Sequence, residues 1–270
     1  MTSPNIDGSQ HPFAVVTGAS SGIGFELARQ FAEHGYDLLV VAESEGINPA
    51  ADSLRSMGAQ VEAVQADLAT YDGVEQLAAR IARGGRPVDA IAINAGVGVG
   101  GPFLETDLEA ERNLIALNVT SVVHLAKRVL PDMVARDEGR VLFTASIAAE
   151  MPGPFEAVYA ASKAFVLSFA EAIRNELKDT NLTITALQPG ATETNFFHRA
   201  GMDDTKVGQG RKSDPATVAR EGFEALMKGK DHVVAAMAKE KLQVAVGQVI
   251  PETVKAEQHR KLSEPGSASA

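Results

Sequence analysis

Phe13-Ala-Val-Val-Thr17-Gly18-Ala-Ser-Ser-Gly22-Ile-Gly24 is the stretch on which the fold reading turns. Phe13 to Thr17 is a short, largely apolar run of strand length. Three glycines follow at once, and then a helical pattern through Leu27, Ala28 and Phe31. Strand, glycine-rich turn and helix in that order present unpaired backbone N–H groups and a positive helix end to a pyrophosphate. Glycine is required where the backbone bends with positive φ, or where a ligand comes too close for a Cβ. The spacing here is Gly-x-x-x-Gly-x-Gly, which differs from the commoner Gly-x-Gly-x-x-Gly.

Outward from this turn the pattern repeats strand and helix. Asp37 to Ala42 reads as a second buried strand ending at Glu43, and Gln60 to Gln65 as a third, closed by Ala66-Asp67-Leu68. A helical segment over 72–83 leads to a fourth strand, Val88 to Ile93, which runs into Asn94-Ala95-Gly96. A long helical segment from about Leu108 to Ala135 contains Asn118. The fifth strand, Arg140 to Ala145, ends at Ser146. A helix over 155–178 precedes the sixth strand, Leu182 to Leu187, which ends in Gln188-Pro189-Gly190. Asp214 to Lys228 reads as helix with Pro215 near its start, Asp231 to Ala235 as an edge strand, and Lys239 to Leu262 as helix broken at Pro251. Strands alternating with helices at this spacing predict an α/β fold: one domain with a doubly wound, mostly parallel sheet and helices on both faces. Functional groups in such sheets gather beyond the carboxyl ends of the strands. Thr17–Gly24, Glu43, Asp67, Asn94–Gly96, Ser146 and Pro189–Gly190 all stand there.

The length of 270 residues favours one large domain, assigned to 12–262, and 45% apolar with 22% charged residues is ordinary for a globular chain. A formal charge of −10 argues against a partner bound through its phosphates, so no nucleic acid is expected. There is no cysteine, which excludes disulfides, thiolate nucleophiles and cysteine-based zinc sites, and fits a reducing cytoplasm. The six histidines are scattered without the i, i+3 or i+4 partners of a metal site, so none is expected to bind metal. The amino terminus lacks a signal pattern, and no apolar run is expected to span a membrane. Residues 1–11 and 263–270 are expected to be disordered tails. Residues 191–212 are long for a connection, as lids are, with Phe196, Phe197 and His198 available to a substrate.

Val158-Tyr159-Ala-Ala-Ser162-Lys163 carries the chemistry. On a helix, Tyr159 and Lys163 form an i, i+4 pair on one face. An ammonium beside a phenol favours the phenolate. Bringing a phenol from its ordinary ~10 towards neutrality takes roughly 4 kcal/mol, much of which a nearby cation in a dry cleft supplies. Such a tyrosine exchanges a proton with an alcohol or carbonyl oxygen. Ser146 stands thirteen positions upstream.

Taken together, Thr17-Gly18-x-x-x-Gly22-x-Gly24, Asn94-Ala95-Gly96, Asn118, Ser146, Tyr159-x-x-x-Lys163 and Pro189-Gly190-x-x-x-Thr194 resemble the short-chain dehydrogenase/reductase family in its shorter, single-domain branch. The resemblance covers roughly residues 12–235 and implies a Rossmann-like fold and an alcohol–carbonyl oxidoreductase using a nicotinamide dinucleotide. It implies Tyr159 as general acid/base, Lys163 lowering its pKa and holding the nicotinamide ribose, Ser146 on the substrate oxygen, and Asn118 holding a proton-relaying water. It further implies cofactor contacts at Gly18, Ser20, Ser21, Gly22, Ile23, Gly24, Asp67, Leu68, Asn94, Ala95, Gly96, Pro189, Gly190, Thr192 and Thr194, and pairing of copies into a homodimer or homotetramer through the Asn118 and Tyr159 helices. Glu43 after the second strand, with no lysine or arginine between Arg29 and Arg55, favours NAD(H) over NADP(H). Alternatives on the same residues are a catalytically silent dinucleotide-binding protein and a dehydratase or epimerase.

Overall fold

The computed structural model describes residues 11–247 and 250–269. Seven strands form one all-parallel sheet in the order β3-β2-β1-β4-β5-β6-β7. They are β1 (Phe13–Thr17), β2 (Asp37–Ala42), β3 (Val61–Gln65), β4 (Ala90–Ile93), β5 (Gly139–Thr144), β6 (Leu182–Pro189) and β7 (His232–Ala235). The helices are α1 (Gly22–Glu33), α2 (Ile47–Arg55), α3 (Tyr71–Arg83), α4 (Leu108–Ile115), α5 (Ser121–Arg136), α6 (Ala157–Glu176), α7 (Phe196–Arg199), α8 (Lys206–Gln209), α9 (Pro215–Met227), α10 (Ala238–Gly247) and α11 (Glu252–Ser263).

The strands are apolar on both sides because both sides are covered. Alternate residues sort to opposite faces. Ala14 and Val16 of β1 and Leu38 and Val40 of β2 join Leu27 and Phe31 of α1 and Phe223 and Leu226 of α9 in one core. Val15, Leu39 and Val41 join Leu77 of α3, Leu125 and Met133 of α5 and Val166 of α6 in the other. The chain leaves β1 for one flank of the sheet and later resumes with β4 on the other, and this reversal opens a crevice above the carboxyl ends of β1 and β4.

Several expectations change. The helix α2 was not foreseen. The run Leu108–Arg136 is continuous, since α4 and α5 are joined by a π-turn at Ala116–Thr120. By length and composition alone this run of 29 residues is long and apolar enough to cross a membrane. Its apolar stripe, including Val122, Leu125, Val129 and Met133, packs on the sheet. The 191–212 segment carries the short helices α7 and α8, with Phe197, Ala200 and Met202 forming a small core of their own. The disordered tail expected over 263–270 is corrected. Ser263 is 2% and Ser267 8% exposed, and the chain turns through a 3-10 segment at Ser267–Ser269. Its composition is that of a linker, but its hydroxyls and backbone N–H groups are taken up by distant residues, which no local pattern reveals. The tail expected over 1–11 lies, apart from His11, outside the described residues.

Candidate active site

The first wall of the crevice is the glycine turn. Gly18 and Gly22 adopt φ of 69° and 58°, in the left-handed region that favours glycine. A Cβ on Gly22 would stand 2.9 Å from Thr194 Cγ2, and one on Gly24 would run into the Gly18 carbonyl oxygen. The third glycine therefore lets α1 approach the turn, and the first two shape the cradle. Ser21 caps α1 without a side-chain hydrogen bond, and the first turn holds no acidic residue. Its leading N–H groups and the positive helix end are left for an anion. The residues present thus fit a dinucleotide's pyrophosphate.

Beyond the cradle, Ala42, Glu43, Ser44, Ala66, Asp67 and Leu68 line the crevice from the ends of β2 and β3. Asp67 Oδ1 accepts from Ala69 N at 2.9 Å, which fixes the carboxylate at the rim. Asn94 stitches three strand ends together. Its N donates to Thr17 Oγ1 (2.9 Å), its Nδ2 to Thr17 O (3.1 Å), and its Oδ1 accepts from Thr144 Oγ1 (3.1 Å). The far wall is Pro189, Gly190, Thr192 and Thr194. Here the sequence reading missed Glu240 of α10, whose carboxylate accepts from Ala191 N (3.3 Å) and Met237 N (2.9 Å) and holds this wall in place.

At the other end of the same crevice stand Ser146, Tyr159, Lys163 and Phe196. Ser146 begins a 3-10 turn over Ile147–Glu150, and its Oγ accepts from Ala148 N at 3.1 Å. Asn118 is placed by the π-turn, an irregularity that long helices keep chiefly where a side chain must be re-aimed. It is 1% exposed, and its amide exchanges hydrogen bonds with Val97: N to Oδ1 at 3.0 Å and Nδ2 to O at 2.9 Å. A Cβ on Gly96 would lie 3.1 Å from Asn118 Oδ1 and 3.2 Å from Lys163 Nζ, so Gly96 is the floor over which the two meet. Phe196 packs on the Tyr159 ring at 5.1 Å between centroids.

The electrostatics correct one sequence expectation. Lys163 does not pull the Tyr159 phenol down. Burial pushes that phenol above its ordinary value; hydrogen bonding with Ser146 opposes the rise, and the Glu156 carboxylate adds to it. Burial also lowers Lys163, from 10.5 to about 8. Nζ donates to Thr144 O at 2.9 Å and stands 5.9 Å from the Tyr159 ring centroid. In a corner this dry, desolvation works against both charged forms. Also unforeseen in the sequence are Glu156, His259 and Ser263, which line the crevice beside Tyr159.

A family model described as short chain dehydrogenase matches residues 12–205. The chain belongs to the short-chain dehydrogenase/reductase family. Dehydrogenase/reductase SDR family member 7B of Rattus norvegicus is similar at 34% identity over 235 residues, covering 82% of this chain and 72% of the relative. A short-chain dehydrogenase from Sphingobium yanoikuyae, solved in complex with NADPH, is 28% identical with a TM-score of 0.78, over 89% of this chain and 96% of the other. A short chain dehydrogenase/reductase from Burkholderia phymatum, solved with NAD, shares the fold at TM-score 0.81 and 24% identity, over 94% and 97% of the two chains. The chain is accordingly an NAD(P)-dependent oxidoreductase of this family. Among the described residues no group of three or more His, Asp or Glu side chains is gathered for a metal.

Proposed function

We propose that the protein interconverts an alcohol and a carbonyl, with Tyr159 as the proton donor and acceptor. The observation that carries this reading is the placing of Ser146, Tyr159 and Lys163 at one end of the crevice whose other end is the glycine cradle, with Asn118 buried behind Gly96. When bound, the dinucleotide supplies or takes the hydride. In reduction Ser146 hydrogen-bonds the substrate oxygen, and Tyr159 gives its proton to that oxygen as the C–O double bond becomes single. A phenol held protonated at neutral pH is loaded for this direction. Lys163 holds the ribose side of the site and, with Asn118 beside it, passes protons in from solvent. Charge is thus stabilised where it develops.

Of the two dinucleotides we infer a preference for NAD(H). Glu43 stands exposed at the end of β2, and the lysine and arginine that line the crevice among the described residues, Lys163 and Arg199, are both at its substrate end. A 2′-phosphate would meet a carboxylate and no cation there. The copies are expected to associate through the outer faces of α5 and α6.

Tyr159→Phe separates catalysis from binding. It should lower carbonyl reduction, followed by nicotinamide absorbance, by about a hundredfold or more, while the dissociation constant for the dinucleotide stays within about threefold. Retention of full turnover by the variant would end the assignment.

A further inference from the structure

The helix α11 docks through an unusual face. The side chains it turns inward are Lys255, His259 and Ser263, spaced four apart on one stripe, while Val254 and Leu262 remain 45% and 42% exposed. A helix seated on such a stripe is held by directed hydrogen bonds, and each has a definite address. Lys255 Nζ donates to the carbonyl oxygen of Glu150 at 3.1 Å, the last residue of the turn that Ser146 begins. His259 Nε2 and Ser263 Oγ both donate to Glu156 Oε2, at 3.0 and 2.9 Å. Glu156 caps the start of α6, three residues before Tyr159. Further on, Gly266 N donates to Asp204 Oδ2 (2.8 Å) and Lys206 N to Ser267 Oγ (2.9 Å), which ties the chain to the 191–212 lid. One C-terminal segment therefore touches the Ser146 turn, the start of the Tyr159 helix and the lid.

Serine, histidine and a carboxylate in contact suggest a hydrolytic triad, but the geometry excludes one. Ser263 Oγ lies 3.2 Å from the same ring nitrogen, Nε2, that meets Glu156, and its hydroxyl is already on the carboxylate. A triad needs the acid on one imidazole nitrogen and the nucleophile on the other. The cluster instead answers the needs of Glu156, whose carboxylate is 6% exposed and must be hydrogen-bonded where it is buried. A second observation marks the same place. Phe155, immediately before Glu156, adopts φ of 65°, which a bulky side chain holds only where its surroundings enforce it. Its carbonyl accepts from Gly101 N at 2.8 Å, and the guanidinium of Arg260, again from α11, lies 5.0 Å from its ring centroid. The entry into the Tyr159 helix is strained and clamped.

We propose that His259 and Ser263 are positioning residues, which by holding Glu156 fix where the Tyr159 hydroxyl stands relative to Ser146. The inference rests on the reading of Tyr159 as proton donor. The test uses His259→Leu, which removes the donor, His259→Gln, which retains one, and Ser263→Ala. Two readouts are taken: steady-state reduction, and the 13Cζ resonance of Tyr159. The resonance is readily isolated, since the chain has three tyrosines and no tryptophan and Tyr36→Phe with Tyr71→Phe leaves one.

His259→Leu should lower kcat by about tenfold to a hundredfold, the scale of a lost hydrogen bond to a buried charge. KM for the dinucleotide should stay within about twofold. The Tyr159 resonance should move in the Leu variant and return towards its original position, with kcat, in the Gln variant. An unmoved resonance with unchanged kcat overturns the proposal, and so does an equal loss in both variants, which would mark simple packing. The resonance needs no turnover. If the wild-type protein oxidises and reduces no alcohol or carbonyl, the function proposed above falls, and the resonance still decides whether α11 positions Tyr159. Should His259→Leu fail to fold, Ser263→Ala, which removes one hydroxyl, carries the same two readouts.

Discussion

Lys163 is 6% exposed, and among the described residues its ammonium has one hydrogen-bond acceptor, the Thr144 carbonyl. Burial lowers it from 10.5 to about 8, so between those two values the unfolded chain holds more protons than the folded one. Stability therefore rises with pH across that window, and the whole penalty is present at pH 8 and below. A depression of this size corresponds to roughly 3 kcal/mol. Lys163→Met removes the charge and keeps the length of the side chain. It should raise the urea stability at pH 7 by about 1–3 kcal/mol, the lost Thr144 hydrogen bond taking back about 1 kcal/mol. The gain should shrink as the pH approaches 10.5, and carbonyl reduction should collapse. A variant less stable than the wild type at pH 7 would show that the lysine is not held against its solvation. The i, i+4 pairing of Tyr159 with Lys163 was legible in the sequence because it is local. The sign of the phenol's shift was not, because burial is set by chain that packs from far away.

Elements explain what else could be read. The strands β1, β2 and β4 stand out because both their faces are buried, so nearly every residue is apolar. The glycine turn stands out because the conformations of Gly18 and Gly22 admit little else. The helix α2 escaped notice since it opens on Gly46 without a side-chain cap and carries Pro49 in its first turn. Yet Ile47, Ala50, Ala51 and Leu54, all buried, give the i, i+3, i+4, i+7 signature of a helix seated on the sheet. The inward stripe of α11 escaped for the opposite reason: lysine, histidine and serine at four-residue spacing look like a solvated face. On the proposed preference for NAD(H), selectivity at the adenosine end would belong to the end of β2 and the start of α1 together: the helix would attract phosphate, and Glu43 beside it would repel a second one. Glu43→Arg should convert that repulsion into a charge-assisted hydrogen bond and shift the NADPH-to-NADH affinity ratio by about tenfold or more. Nicotinamide fluorescence titrations of both proteins measure the ratio. An unmutated protein that binds NADPH more tightly would remove Glu43 as the determinant.

At the scale of the molecule, charge and apolar surface act against each other. Each copy carries −10, from 35 acidic and 25 basic residues, so approaching copies repel. The outer faces of the helices flanking the Tyr159 end nevertheless leave Ile115 44%, Val134 37% and Phe165 39% exposed. Phe165 stacks on Phe169 at 5.7 Å, which preorganises an aromatic surface on α6. If copies join through these faces, as we expect, an apolar attraction works against a long-range repulsion, and salt acts mainly on the repulsion. The screening length falls to about 10 Å at 0.1 M salt and about 8 Å at 0.15 M. Sedimentation velocity should then show more of the associated species at about 0.2 M than at about 0.02 M salt. Phe165→Glu, which sets a further like charge on each side of the join, should leave mainly the 28.4 kDa monomer at both. A wild-type chain that sediments as a 28.4 kDa monomer at either ionic strength, across micromolar concentrations, would mean that this apolar face packs against no second copy.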